Sequence, residues 1–310
     1  MSEHAHNHEA WTHGHMFLGR HHGRVERSTR VAAAITAAFM VVEIVAGLAF
    51  GSMALLADGV HMATHVGALG LAAGAYWLAR HHAANTRFTF GSGKFGDLAA
   101  FSSAILLGLV AAGVAYESLQ RLVVPVSVRY SDALAIAVVG LAVNIATAFV
   151  LQHPHPHRHD SAGHHHDHNL RAAYTHVLAD AATSVLAILA LSAGILFGTA
   201  WLDPIVGVIG AIMIAYWSYG LARESALVLL DAEDDPRLAR DIRAMIEGEM
   251  NARVFDLHLW RLGPGHRGLI VSLVSPDQLT ADRIRESLKE RYADLSHVTV
   301  EIAVCADCGT

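Results

Sequence analysis

The sequence predicts an all-α polytopic membrane domain with six transmembrane helices, followed by a small α+β cytoplasmic domain of ferredoxin-like type. Hydrophobic residues make up 53% of the 310 residues and charged residues only 16%, a balance too apolar for an ordinary soluble protein. Six apolar segments are long enough to span ~30 Å of hydrocarbon. From Asp231 onwards the chain is charged and shows alternating helix and strand patterns.

The six predicted spans are separated by short segments that contain turn-forming residues. Gly51-Ser-Met, the Pro125 region and Trp201-Leu-Asp-Pro supply the tight breaks. The spans are expected at residues 29–50, 53–79, 97–122, 132–152, 170–197 and 203–227.

The distribution of arginine and lysine predicts the orientation of these spans. Basic residues precede the first span, lie between spans two and three and between spans four and five, and follow span six. The loops after spans one and five carry none, although the loop after span three carries Arg121 and Arg129. By the positive-inside rule, both termini and the loop between spans four and five lie in the cytoplasm, which predicts a multi-pass protein of the cell inner membrane.

The C-terminal segment reads as a split βαβ domain with the order α-β-β-α-β. Pro236 begins the first helix, Gly263-Pro-Gly-His joins the first two strands, and Thr280 or Asp277 caps the second helix. Such a domain is too small for an enzyme cleft of its own and suits dimerisation or sensing. The expected elements are a helix at 235–250, strands at 254–260 and 268–274, a helix at 280–292 and a strand at 297–304.

Histidine is the compositional outlier, with 23 residues. Many of them lie in a tail at 1–28, before the transmembrane domain at 29–230, and in a loop at 153–168 within that domain. The cytoplasmic domain follows at 231–310. Histidine tracts of this kind collect divalent metals loosely, and the alternative is a solvated linker. The loop histidines are His153, His155, His157, His159, His164, His165, His166 and His168.

Two helical motifs place coordinating side chains at membrane depth. His61 and His65 lie four residues apart in span two, and His176 and Asp180 lie four residues apart in span five. Residues at i and i+4 share one face of a helix. An ionisable side chain at a helix centre costs at least ~2.5–3.5 kcal/mol, so something must bind these groups. Three imidazoles and one carboxylate suffice for a four-coordinate divalent ion.

The same residues suggest exchange of metal for protons. Imidazole binds metal only when neutral, and its ordinary pKa near ~6.5 lets a physiological proton gradient displace the ion. Four interpretations are open for Asp58: a fifth ligand, a partner that fixes an imidazole tautomer, part of a proton path, or a residue at the membrane boundary. Glu43 is a second candidate for the proton path, and helix–helix hydrogen bonding is expected for Glu43 and Asn144. The net charge of −6 indicates no nucleic-acid partner.

The cytoplasmic domain contains further metal-binding side chains. Asp256 and His258 share one strand face by period-two alternation. A regulatory metal site is one interpretation, and polar residues on the surface of a small sheet are the other. The candidate ligands are His258, His266, His297, Cys305 and Cys308.

These motifs together resemble the cation diffusion facilitator family of divalent metal exporters over residues 29–304. The resemblance implies a homodimer in the lipid bilayer, with one transport site per protomer between spans two and five, metal/proton antiport, and metal as substrate without a permanently bound cofactor. It rests on Ser52-Met-Ala-Leu-Leu-Ala-Asp-Gly-Val-His-Met, Arg87-Phe-Thr-Phe-Gly-Ser-Gly-Lys94, His176-Val-Leu-Ala-Asp-Ala-Ala-Thr-Ser-Val185, Trp201-Leu-Asp-Pro-Ile-Val-Gly207 and Asp256-Leu-His-Leu-Trp260.

Two departures from the family pattern bear on the metal. Zinc-exporting members typically have Asp where this chain has His65, and the nitrogen-rich site resembles the branch that exports Co²⁺ and Ni²⁺. Export of Zn²⁺ or Cd²⁺ is the alternative. Phe88 and Ser92 stand where some members carry histidines of an auxiliary zinc site, so that site is not expected here.

Two other classes of membrane protein use similar side chains. A haem protein would take two of His61, His65 and His176 as axial ligands, but Asp180 and the histidine tracts disfavour it. A metal sensor would bind the ion and signal without transport. A flux measurement separates both from a transporter.

Overall fold

The computed structural model describes residues 26–83, 85–151, 166–233, 235–275 and 279–304. Within them, six long helices precede a domain of two helices and three strands. The shortest of the six has 22 residues and the longest 32. Their bounds are α1 (Glu26–Phe50), α2 (Met53–His81), α3 (Phe95–Val123), α4 (Tyr130–Leu151), α5 (His166–Phe197) and α6 (Leu202–Leu229).

Each of these helices coincides with a predicted span. The largest difference is at α5, which begins at His166 instead of residue 170, so His166 and His168 belong to the helix and not to the predicted loop. Of the described helices, α3 and α6 are long and apolar enough by themselves to cross a membrane. Shorter apolar stretches lie at Ala34–Phe50, Tyr130–Ala146 and Ala181–Phe197.

The chain divides into two compact units, of which the helical one comprises His21–Leu71 and Ala100–Ala222. Glycines bring α1 and α2 into close contact there. A Cβ on Gly47 would lie 2.8 Å from the backbone nitrogen of Leu56, and one on Gly59 would lie 2.9 Å from that of Ile44. Small residues at helix contacts are typical of membrane bundles, where close packing drives association.

The second unit includes Ala72–Ala99 and Arg223–Thr310. Its sheet has the order β1-β2-β3, with β1 and β2 antiparallel and β2 and β3 parallel. The predicted order α-β-β-α-β is confirmed. The elements are α7 (Pro236–Glu249), β1 (Arg253–Gly263), β2 (His266–Ser275), α8 (Ala281–Arg291) and β3 (Leu295–Val304).

Both short helices are capped at their N-termini, and the cap of the second is Thr280, one of the two residues expected from the sequence. Asp235 accepts hydrogen bonds from the backbone N–H groups of Arg237 and Leu238, with Pro236 at the first helical position. Thr280 accepts one from Arg283. Both helices then bury one apolar stripe against the sheet, which forms the core of this domain. Its fully buried residues include Ile242, Ile246, Leu269, Val271, Leu273, Ile284 and Leu288.

Within this unit, the segment between α2 and α3 contacts the hairpin end of the sheet. A Cβ on Gly93 would lie only 2.3 Å from the carbonyl oxygen of Leu262. The ring of Phe90 meets Trp260 edge-on, and Arg261 forms an ion pair with Asp97 at 3.2 Å. The segment therefore packs backbone-to-backbone on the sheet domain.

Candidate metal transport site

The start of α2, the helix that carries the first motif, is capped by a residue from α6. The buried carboxylate of Asp203 accepts hydrogen bonds from Ser52 Oγ at 2.5 Å and from the Met53 N–H at 2.7 Å. Ser52 Oγ in turn accepts one from the Leu55 N–H at 3.1 Å. The first N–H groups of a helix have no intrahelical partner, and a carboxylate also suits the positive end of the helix dipole. Asp203 therefore fixes where α2 begins.

Further along α2, Asp58 lies in a buried polar chain across three helices. Its side chain is 2% exposed, and its Oδ2 accepts a hydrogen bond from Ser184 Oγ of α5 at 2.8 Å. Asn144 of α4 donates to Ser184 Oγ at 3.4 Å, which confirms the predicted helix–helix hydrogen bond of Asn144. Asp58 therefore lies at the contact between α2 and α5.

His61 lies on the next turn of α2 and is 1% exposed. Its imidazole packs against the indole of Trp217 from α6, with 4.8 Å between the ring centroids and an angle of 38° between the planes. A histidine buried at this depth in a helical bundle needs either polar partners or a ligand.

Asp58 and His61 both line a cavity of about 60 Å³ between α2, α5 and α6. That volume is large enough for a metal ion with some water, since one water needs only ~10–15 Å³. Apart from these two residues and Thr183, the walls are apolar. They consist of Ala54, Ala57, Ala182, Leu186, Val206, Ile209, Gly210 and Met213.

For the other predicted ligands, the structure describes the position of the backbone but not of the side chain. Residues 61 and 65 both lie in α2, and residues 176 and 180 both lie in α5, so each pair is one helical turn apart as predicted. The side chains of His65, His176 and Asp180 lie outside the described residues. Their joint coordination of a metal stays a prediction.

Glu43 of α1 differs from one of its two predicted roles. Its side chain is fully buried, and neither carboxylate oxygen has a hydrogen-bond partner among the described residues. The expected helix–helix hydrogen bond is therefore wrong for this residue. Instead, Glu43 lies against glycines of two other helices: a Cβ on Gly140 would lie 2.1 Å from Glu43 Oε1, and one on Gly59 would lie 3.0 Å from Glu43 Cβ.

The described candidates for a regulatory metal have other contacts. His258 Nε2 lies 3.0 Å from Asp256 Oδ2, which confirms their shared strand face, and the ring of His297 meets Phe90 edge-on. His266 Nδ1 lies 2.6 Å from Ser296 Oγ, and burial lowers the pKa of His266. Cys305 and Cys308 lie outside the described residues.

No group of three or more histidine, cysteine or acidic side chains is placed to hold a metal within the part of the chain that the structure describes. The histidine-rich tail and residues 153–165 lie outside that part, as do the side chains of His166 and His168.

Three residues that shape this site, Ser184, Asp203 and Trp217, have no role in it among the sequence-based predictions. Ser184 and Asp203 lie within motifs of the family resemblance, and for Asp203 an acidic residue in the first turn of a helix also suggests a capping role. Trp217 lies on α6, at helical spacing from Gly210 and Met213. That stripe was the available signal for a third helix at the site.

The chain is similar in sequence to known cation efflux proteins. Residues 29–230 match the cation efflux transmembrane domain. The chain is 31% identical over 270 residues to the cadmium, cobalt and zinc/H(+)-K(+) antiporter of Bacillus subtilis, with 85% of this chain and 84% of the relative covered. It is 31% identical to the metal cation efflux system protein CzcD of Cupriavidus metallidurans, with 92% and 89% covered.

A third relative is the zinc transporter ZitB of Escherichia coli, which is 32% identical with 94% of this chain and 92% of the relative covered. The matched domain includes all six long helices apart from the first residues of α1. The chain therefore belongs to the cation efflux family, the membrane-integral cation diffusion facilitators that its motifs resemble.

Proposed function

We propose that this protein is an antiporter that exports a divalent transition metal ion from the cytoplasm in exchange for protons. The observation that carries the proposal is the buried pair Asp58 and His61 on the wall of a cavity between α2, α5 and α6. A carboxylate and an imidazole are costly at this depth unless polar partners or a bound cation stabilise them, and their position on a cavity wall favours a cation. The buried hydrogen bond from Ser184 supports α5 as the partner helix of α2.

The proposed ligands are His61 and His65 of α2 with His176 and Asp180 of α5. This set is richer in nitrogen than one with two carboxylates, which favours late divalent ions, and we propose Co²⁺ and Ni²⁺ as the preferred substrates. The metal is cargo and not a resident cofactor.

Export of Zn²⁺ or Cd²⁺ is the second candidate, and the relatives favour it. The Bacillus subtilis protein is named for cadmium, cobalt and zinc, and the Escherichia coli protein for zinc. The name of the Bacillus subtilis protein also includes cobalt, an ion of the first proposal, so relative uptake rates for the different ions decide between the two proposals.

Protons are proposed to reach and leave the site through Asp58 and Glu43. Glu43 is fully buried and lacks a hydrogen-bond partner among the described residues, and a charge in such a place is costly. The carboxyl group of such a side chain can bind and release a proton, and it lies where α1, α2 and α4 meet.

The proposed assembly is a homodimer in the cell inner membrane with both termini in the cytoplasm. In it, α1 to α6 span the bilayer and the sheet domain has a ferredoxin-like fold. The histidine-rich segments collect metal, and His258, His297, Cys305 and Cys308 are candidates for regulatory metal binding. The order of the strands and the core between the sheet and α7 and α8 support the ferredoxin-like assignment.

Metal uptake by proteoliposomes tests the transport proposal. The purified full chain is reconstituted with an acidic lumen, and accumulation of Co²⁺, Ni²⁺, Zn²⁺, Cd²⁺ and Mn²⁺ is measured. We expect uptake of at least one late divalent ion, loss of that uptake in His61→Ala, and retention in His81→Ala, which alters an exposed histidine of the same helix. Metal binding without uptake would instead indicate a sensor, and a haem absorption band would indicate a haem protein.

A further inference from the structure

One face of α6 forms a wall of the candidate site. Val206, Gly210 and Met213 line the cavity, and Trp217 continues the same stripe one turn later. Their spacing of three or four residues keeps them on one side of the helix. Sequence motifs placed the site between α2 and α5 alone, and this stripe adds a third helix to it.

Glycines set the distance between α6 and α2. A Cβ on Gly207 would lie 2.8 Å from Met53 Cβ, and one on Gly210 would lie 2.9 Å from Ala57 Cβ. The two helices therefore touch along this line without room for larger side chains. Asp203 binds the start of α2 at the same end, so the position of α6 along α2 is fixed by both packing and hydrogen bonds.

Beyond the last glycine contact, the large side chain of Trp217 fills the space beside His61. The centroids of the two rings lie 4.8 Å apart. At that distance the indole limits the rotation of the imidazole about its χ angles, because a rotated ring would enter the volume of the indole. The neighbouring Ser218 donates a hydrogen bond to the carbonyl oxygen of Ala104 at 2.5 Å, which ties this turn of α6 to α3.

We infer that Trp217 is a positioning residue for metal binding: it holds the imidazole of His61 in the orientation in which the ring nitrogen binds the transported ion. The inference rests on the proposed function, because it takes His61 as a ligand. A ligand held in its binding rotamer loses less entropy when metal binds, so the metal affinity depends on a side chain that never touches the metal.

The test compares Trp217→Leu with Trp217→Phe and with Tyr216→Leu, the last of which removes an exposed ring from the same helix turn. Two quantities are measured on the full chain. The first is the half-saturating Co²⁺ concentration and the maximal rate of uptake in proteoliposomes. The second is the visible ligand-field absorption of Co²⁺ bound to the protein in detergent, which reports the coordination geometry independently of transport.

We expect Trp217→Leu to raise the half-saturating Co²⁺ concentration about tenfold, the scale of a freed rotamer, with the maximal rate changed less than twofold. Its Co²⁺ absorption should be weakened or shifted. Trp217→Phe keeps a ring, and its half-saturating Co²⁺ concentration should stay within about threefold of that of the unaltered chain. Tyr216→Leu should have the same half-saturating concentration as the unaltered chain. If Trp217→Leu does not fold, Trp217→Met takes its place with the same criteria, since methionine adapts to irregular spaces.

Two results would overturn the inference. One is an unchanged half-saturating concentration and absorption in the Leu variant. The other is a Phe variant as impaired as the Leu variant. Absence of uptake by the unaltered chain would refute the proposed function instead, and the two failures are therefore distinguishable.

Discussion

At the scale of single residues, the proposed preference for Co²⁺ and Ni²⁺ rests on His65. An imidazole in place of the carboxylate expected in zinc-exporting members of the family would add a nitrogen ligand and remove a negative charge. We expect His65→Asp to raise the ratio of the Zn²⁺ to the Co²⁺ uptake rate by about tenfold, the scale of one altered ligand. The ratio is measured in the same proteoliposome preparation, with His81→Ala as control. If the ratio does not move towards zinc, the role assigned to position 65 is wrong.

A substitution at Glu43 tests its proposed proton role separately from metal binding. The carboxyl is buried against Gly140, the Cβ of Glu43 lies against Gly59, and the carboxyl has no hydrogen-bond partner among the described residues. Glu43→Gln keeps the shape of the side chain and removes the exchangeable acid proton. We expect the half-saturating metal concentration to change less than threefold and the acceleration of uptake by an acidic lumen to be largely lost.

The exposed Glu224 of α6 supplies the matched control, Glu224→Gln, for which full acceleration is expected. If an acidic lumen accelerates metal uptake fully in Glu43→Gln as well, Glu43 is not part of the proton path.

At the scale of the helices, Asp203 joins the starts of α2 and α6. Asp203→Ala would leave the Met53 N–H and the Ser52 hydroxyl buried without their acceptor. Loss of a helix cap costs ~0.5–2 kcal/mol, and an unsatisfied buried donor costs ~1–3 kcal/mol. We therefore expect a lower thermal unfolding midpoint in detergent, while Asp132→Ala in the exposed first turn of α4 should leave it nearly unchanged. Equal midpoints for the two variants would contradict the capping role.

The segment between α2 and α3 depends on a glycine for its contact with the sheet domain. A Cβ at Gly93 would lie 2.3 Å from the carbonyl oxygen of Leu262 and 2.9 Å from Gly263 Cα. Because both neighbours are backbone atoms, the segment must move away in Gly93→Ala. We expect faster hydrogen exchange in the segment and at the end of β1, with Gly96→Ala, which meets open space, as control. Unchanged hydrogen exchange in Gly93→Ala would show that the segment is not in tight contact with the end of β1.

Features that depend on neighbouring residues in the sequence could be predicted, whereas contacts between distant segments could not. Helix and strand positions were predicted because they depend on local patterns: apolar runs, a cap such as Thr280, or the hairpin glycines before His266. The start of α5 was placed too late, because hydrophobicity detects the apolar part of a helix and not its polar first turns.

The parts of the site that were missed are those that join distant segments. Ser52 and Asp203 are 151 positions apart, and Trp217 reaches His61 from another helix. No local pattern encodes such contacts. Glu43 shows the converse: a helix–helix hydrogen bond is expected for this buried polar residue, and among the described residues its carboxylate has none and lies against Gly140.

At the scale of the whole molecule, the proposed transport gives the residues described above one common purpose. Asp203 and the glycines of α6 position α2. Ser184 donates a hydrogen bond to Asp58, Trp217 packs against His61, and both Asp58 and His61 line the cavity between the three helices. In the proposed cycle, metal binds neutral imidazoles on the cytoplasmic side, and protons displace it after the bundle opens to the other side.

The most direct test of this account is the movement of protons caused by metal. Proteoliposomes that contain the full chain and a pH-sensitive dye receive Co²⁺ or Zn²⁺ outside, with no imposed pH gradient. The account predicts that metal entry drives protons out, so that the lumen becomes alkaline, and that His61→Ala abolishes the change. Metal entry without any change in lumenal pH would contradict proton-coupled antiport.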